Sequence, residues 1–182
     1  MSMNLPFLDE PVPNFFFSVK VLDNGSVSSA ILSMASQLDA SASAFVEVSG
    51  LTLGIEVKGE KEACNAIEIP LPGGLTNEAL TLKRCVRPRH IAGDPMTTWC
   101  QETFEAAKHW KKGIKTKDIL ILIMHPHLKN IPFVNTVPVA GFLVKKAYPV
   151  KWDMDSLNST GNEPLQETIE LKYRDFQRIS VP

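Results

Sequence analysis

Gln166–Phe176 reads QETIELKYRDF. Ile169, Leu171 and Tyr173 fall on one face, and Thr168, Glu170, Lys172 and Arg174 on the other. Unbroken period-two alternation predicts a half-buried strand, apolar toward a core and wholly polar on its far side. The neighbouring segments repeat the β signal. Asp118–His125 (DILILIMH) is apolar on both faces and predicts a central strand covered on each side. Val139–Tyr148 and Leu80–Val86 read as further strands, and Phe15–Leu22 as one entered through Pro11 and Pro13.

Phe45–Lys58 alternates with a change of phase between Val48 and Leu51, which predicts a bend or bulge near Ser49-Gly50. Gly59–Ala63 reads as a charged turn. Ala66–Leu71 reads as a strand stopped by Pro72-Gly73-Gly74. Ser26–Ala44, rich in Ser and Ala, fits either a short helix or an ordered loop. One helix is signposted by Asp94 as N-cap and Pro95 at the first helical position. Met96, Trp99, Cys100, Thr103, Ala107 and Trp110 share a face, of which Trp99, Thr103, Ala107 and Trp110 are the expected packing core. Lys108, Lys111 and Lys112 suit the C-terminal dipole, and Gly113 suits C′. Seven or eight strands and one helix predict a mainly β domain, with two packed antiparallel sheets as a β-sandwich or barrel and one flanking helix.

The chain has 182 residues, with 19 Lys plus Arg against 20 Asp plus Glu, hence a formal charge of −1. That balance argues against a non-specific nucleic-acid binder. The longest apolar run, Ile119–Met124, is far short of the roughly 20 residues of a bilayer span. The N-terminus lacks a basic n-region and a continuous apolar h-region, so cytoplasmic synthesis is the expectation. Cys64, Cys85 and Cys100 form no CxxC pair and fit packed, reduced thiols.

The search for chemistry returns little. His125-Pro126-His127 is the only His pair, and Pro126 breaks the strand that would align it as a chelate. Asp153 and Asp155 fit a turn stabilised by Asx-type hydrogen bonds. His90 beside Arg87 and Arg89 fits a solvated basic turn. Trp99 and Trp110 fit core packing better than a ligand shelf. No nucleophile, base and acid converge, and no phosphate loop or zinc motif is present. The chain reads as non-catalytic and without a cofactor. The polar face of Thr168–Arg174, with apolar residues behind it, also fits a strand whose open edge is paired by another chain.

Several segments, in order, resemble the tail-tube protein family of contractile phage tails and phage-derived contractile injection systems. Pro13–Val19 resembles the family's opening strand. Ala44–Leu51 resembles its "F-x-E-V-S-G-L" element. Ile69–Gly73 followed by Leu80–Arg84 resembles "L-P-G … L-T-L-K-R-G", with Cys85 in place of the last Gly. Ala147–Trp152 resembles "A-W/Y-P-V-K-W". Asn158, Asn162 and Glu167–Leu171 resemble the closing "L-N-A-x-x-N … E-T-L-E-L" strand. The ordered set spans Pro13–Phe176, so residues 1–12 read as an extension and 13–182 as one tail-tube domain.

The resemblance implies two packed sheets with a flanking helix, similar also to the haemolysin-coregulated protein of type VI secretion. It implies six subunits per ring, sheets joined around a lumen, and rings stacked into a tube without a catalytic site. Implied partners are the chain itself, a sheath protein, baseplate or spike proteins, and a tape-measure protein or cargo in the lumen, with no membrane anchor and no sequence-specific nucleic-acid binding. On this reading Thr168, Glu170, Lys172 and Arg174 face the lumen, and Lys58, Gly59, Glu60, Lys61 and Glu62 reach the next ring. The major repeating subunit and a tube initiator at the spike both fit, the former slightly better. The alternative from another class is a monomeric β-sandwich that binds a ligand through an exposed tryptophan.

Overall fold

The computed structural model describes residues 17–22, 45–61, 68–87, 94–109, 113–125, 137–157, 162 and 164–179. Among these, the elements run β1 (Phe17–Leu22), β2 (Phe45–Ser49), β3 (Leu53–Lys61), β4 (Glu68–Asn77), β5 (Leu80–Cys85), α1 (Pro95–Lys108), β6 (Lys117–His125), β7 (Val137–Met154), β8 (Gln166–Lys172) and β9 (Asp175–Ile179). The Ser26–Ala44 segment lies outside the described residues.

Two antiparallel layers are joined by one long strand. β7 has 18 residues, well past the expected Tyr148. Its first part pairs β6, from His125↔Val137 to Lys117↔Ala147, and pairs β9 on the other side. Its last part, Tyr148–Met154, pairs β8. The first layer is therefore β1-β6-β7-β9, and the second is β7-β8-β5-β2. The chain changes layers at Lys146, which has φ 54° and donates its N–H to Asp118 Oδ1 at 2.9 Å. A positive φ at a side-chain-bearing residue is costly, and here it marks the bend that lets one strand serve both sheets.

Alternation builds the core. In β5, Leu80, Leu82 and Arg84 point inward, while Thr81, Lys83 and Cys85 lie on the half-buried face. In β8, Glu167, Ile169 and Leu171 point inward. Leu80, Leu82, Ile169 and Leu171 meet Val19, Ile119, Ile121, Val144 and Ala147 of the first layer and Met96, Trp99 and Cys100 of α1 in one cluster. β6, apolar on both faces, is central as expected, and its Leu120 and Leu122 join a second cluster with Leu22, Met124 and Leu143.

The cap prediction holds: Asp94 accepts from Thr97 N at 3.4 Å, with Pro95 following. Trp99 and Thr103 are buried, Thr103 Oγ1 donates to the Trp99 carbonyl at 2.8 Å, and Trp99 Nε1 donates to the Lys115 carbonyl at 3.0 Å. Ala107 is exposed, and Ala106 is buried in its place. The buried positions Thr97, Cys100, Thr103 and Ala106 step by three, which turns Ala106 and not Ala107 toward the packed side. The C-cap is His109, so Gly113 is not the C′ residue, and Trp110 lies outside the described residues.

Three boundaries differ from the sequence reading. β8 ends at Lys172, and Tyr173-Arg174 form a bend before β9, because the chain returns here from the second layer to the first. Gly59, Glu60 and Lys61 extend β3 instead of forming a turn. Pro72-Gly73-Gly74 lie within β4, where Ile55↔Leu75 and Val57↔Pro72 leave both glycines opposite Glu56 in a bulge. A Cβ on Gly73 would lie 2.9 Å from the Glu56 carbonyl oxygen, so the bulge needs glycine there. Proline is tolerated because, among the described residues, β3 and β4 form a two-stranded ribbon in which each strand pairs on one side only.

Candidate functional site

Three features stand out from an ordinary sandwich, and all are surfaces or supports for surfaces. The first is the outer face of the second layer. Register places Glu47 beside Lys83, Lys83 beside Thr168, Thr168 beside Asp153, and Glu170 beside Lys151. The face thus runs unbroken across four strands. It carries three lysines (Lys83, Lys151, Lys172) and three carboxylates (Glu47, Asp153, Glu170). Lys83 pairs with Glu47 at 2.9 Å, and Lys151 with Glu170 at 3.2 Å and Asp153 at 3.5 Å. The hydrogen bond and charge of Glu170, with Asp153 adding, raise the Lys151 pKa and keep it cationic. Among the described residues, β2 and the Tyr148–Met154 part of β7 pair on one side only, so this sheet ends in two open edges.

The second feature is the β3–β4 hairpin. Among the described residues its strands pair only with each other. Leu53, Ile55 and Val57 are paired with Asn77, Leu75 and Pro72 respectively, which puts them on one face. That face is in water: Ile55 is 60% exposed, Val57 65% and Leu75 73%. An isolated two-stranded ribbon is marginal in water, and a contiguous exposed apolar face marks a contact surface. The hairpin leaves the body at Gly50, whose φ is 86° and whose added Cβ would lie 1.9 Å from the Ala79 carbonyl oxygen. Gly50→Ala is therefore expected to cost about 2 kcal/mol or more in a urea titration, through both the left-handed backbone and the clash.

The third feature is a buried charge cluster beneath the polar face. Arg84, 1% exposed, donates from Nε to Glu167, from Nη1 to Asp94 Oδ2 at 2.6 Å and from Nη2 to Thr97 Oγ1 at 2.6 Å. Glu167 Oε2 accepts from Trp152 Nε1 at 2.9 Å, and the Arg84 guanidinium lies 5.6 Å from the Phe45 ring centroid. Phe45, Arg84, Glu167 and Trp152 come from β2, β5, β8 and β7, so the cluster crosses all four strands of the layer and fastens the N-terminus of α1 to it.

The structure brings Thr168, Glu170 and Lys172 together on the polar face. Arg174 does not share it: it is exposed in the bend, with its N–H donated to the Lys145 carbonyl at 3.0 Å. Lys58 and Gly59 are exposed far along β3 with the backbone of Glu60 and Lys61, and Glu62 lies outside the described residues. The sequence reading missed the hairpin's apolar face and the Arg84 cluster. Leu53, Ile55 and Val57 carry the same alternation whether they meet a core or a partner. Arg84 was visible only as a polar residue in phase with Leu80 and Leu82.

Chemistry remains sparse. Among the described residues no three His, Cys, Asp or Glu gather as a metal site. Burial pushes the Cys100 thiol up to about 12, so it is not a nucleophile near neutral pH. No helix among the described residues is long and apolar enough to cross a membrane.

Comparison with known proteins gives one family. Residues 13–177 match the family model described as T4-like virus tail tube protein gp19. No curated protein matches the sequence. A chain in the cryo-EM structure of the anti-feeding prophage baseplate, 6-fold symmetrised, is 22% identical with TM-score 0.66, over 93% of this chain and 96% of that chain. A chain in the cryo-EM structure of an extracellular contractile injection system, the PVC sheath-tube complex in the extended state, is 18% identical with TM-score 0.67, over 100% of both chains. Hcp1 from E. coli EAEC 042 pathovar is 10% identical with TM-score 0.51, over 91% of this chain and 92% of that chain. At these identities the solved structures show a shared fold.

Proposed function

Because the chain belongs to the T4-like virus tail tube protein gp19 family, we propose that it is a structural subunit of the inner tube of a contractile tail or injection system. Six copies form a ring, and rings stack into a hollow conduit. The observation that carries this reading is the second layer, a four-stranded sheet with a continuous polar face and two open edges. Pairing the β2 edge of one copy with the β7 edge of the next satisfies both rows of backbone groups and turns the polar faces toward a common lumen. Thr168, Glu170 and Lys172 then line the lumen.

Size supports the geometry. Twenty-four strands spaced about 4.8 Å apart make a backbone circle roughly 37 Å across, or roughly 48 Å with a tilt of about 40°. The apolar hairpin supplies the contact with a neighbouring copy, with Lys58–Lys61 toward its far end. Sheath, baseplate or spike, and a tape-measure protein or cargo are the other partners. The particle assembles from cytoplasmic subunits, and the chain serves as the repeating subunit in preference to the initiator.

Electron microscopy of the purified protein at high concentration, with end-view class averages, tests this. Six-fold rings that stack into tubes are expected. Rings that never stack would move the chain to the initiator position. Monomers that persist after addition of a baseplate or spike preparation would overturn the reading.

A further inference from the structure

We propose that Tyr173 is a positioning residue for assembly, a clamp that sets the direction in which the β3–β4 hairpin leaves the body. This rests on the reading of the hairpin as the contact between copies. Among the described residues the hairpin strands pair only with each other, and the two roots, next to Gly50–Thr52 and Asn77–Ala79, are tied to the same residue. The Tyr173 hydroxyl lies 3.0 Å from the Gly50 carbonyl oxygen and 2.9 Å from that of Thr52, donating to one at a time. It accepts from Thr52 N at 3.2 Å. The second root is held from the other end of Tyr173: Asn77 Nδ2 donates to the Tyr173 carbonyl at 2.7 Å.

The clamp is itself fixed. Tyr173 is buried in the bend between β8 and β9. Its ring meets Phe176 edge-on, with centroids 6.2 Å apart, and Phe176 meets Phe142 of β7 at 6.2 Å. Burial raises the phenol pKa, so the hydroxyl keeps its proton. Tyr173 belongs to neither the exposed hairpin face nor the polar sheet face. Its contribution is orientation. A hairpin held in one direction reaches a neighbour with its ordering already complete, and a loosely held one must lose that freedom on binding.

Tyr173→Phe keeps the ring stack and removes the hydroxyl from partners at the half-exposed hairpin root. The expected result is a melting temperature within a few degrees of wild type and a critical concentration for assembly raised at least tenfold. Spin labels attached at exposed Lys58 and Lys108 by cysteine-independent chemistry should show a broadened distance distribution in the monomer. Asn77→Ala carries the same readouts should Tyr173→Phe fail to fold. An unchanged distribution and critical concentration, while Ile55→Ser/Leu75→Ser abolishes assembly, overturns the clamp and leaves the hairpin reading intact. Normal assembly of Ile55→Ser/Leu75→Ser overturns the hairpin reading and the clamp with it.

Discussion

Arg84→Met is expected to lower subunit stability by about 3–5 kcal/mol, the cost of leaving buried charge without its partner. The volume change is small, so packing contributes little. What remains is Glu167, 2% exposed, and Asp94, both buried, with no cation between them. Thr97 also loses the donor to its hydroxyl oxygen. Arg84→Lys should rescue poorly, because one ammonium cannot reproduce three donors aimed at three residues. Arg84→Met/Asp94→Ser/Glu167→Leu should recover more than half of the loss, since it removes the stranded charges while Ser keeps a cap on α1. Urea titration of the three variants checks this. A loss under about 1 kcal/mol for Arg84→Met would mean that solvent reaches the cluster and that it is not a buried network.

In the proposed ring the position of the cluster would give it a second role. It runs from Phe45 at one open edge to Trp152 at the other, under the strands that carry the polar face. Two edges pair around a ring only if every copy presents them at the same separation and twist. Hydrogen bonds directed from a planar guanidinium constrain strand positions more tightly than apolar contacts, which tolerate sliding.

Much of this was legible in the chain because it depends on local pattern. Asp118–His125 could only be central, since neither face is polar. Asp94-Pro95 marks a helix start by chemistry that needs no tertiary context. The phase change at Ser49-Gly50 marked the place where the chain leaves the second layer. The polar side of Thr168–Lys172 was readable because alternation sorts residues by face. Alternation does not report where a strand changes sheets. Tyr173 and Arg174 continue the pattern of β8, so the bend itself left no mark; the phase slips only at Asp175-Phe176, where β9 has already begun. Pro72-Gly73-Gly74 carries the composition of a turn, and only the pairing with Glu56 makes it a bulge. Glu167 and Arg84 fall in core-facing phase, but a pair of opposite charges 83 residues apart gives no sequence signal of its union. The hairpin face was illegible for a different reason: alternation looks the same in sequence whether its apolar side meets the chain's own core or lies in water, as Ile55, Val57 and Leu75 do.

Ile55→Ser/Leu75→Ser is expected to abolish tube formation without lowering the melting temperature of the subunit. The two side chains face each other across β3 and β4 and are mostly exposed, so the isolated subunit loses little when they go. In a stacked tube they would be buried, and full burial of such a side chain contributes about 1.5–3 kcal/mol. Together they are worth roughly 3–4 kcal/mol per contact after allowing for partial burial, and each 1.4 kcal/mol is about a factor of ten. The critical concentration for assembly should therefore rise by roughly two to three orders of magnitude. Light scattering against concentration, with calorimetry of the monomer, reads both quantities. A fall in melting temperature that matches the loss of assembly would place these residues in the subunit's own core. A rise in critical concentration at constant melting temperature places them between copies, where the exposure of an otherwise unsupported apolar ribbon has its physical explanation.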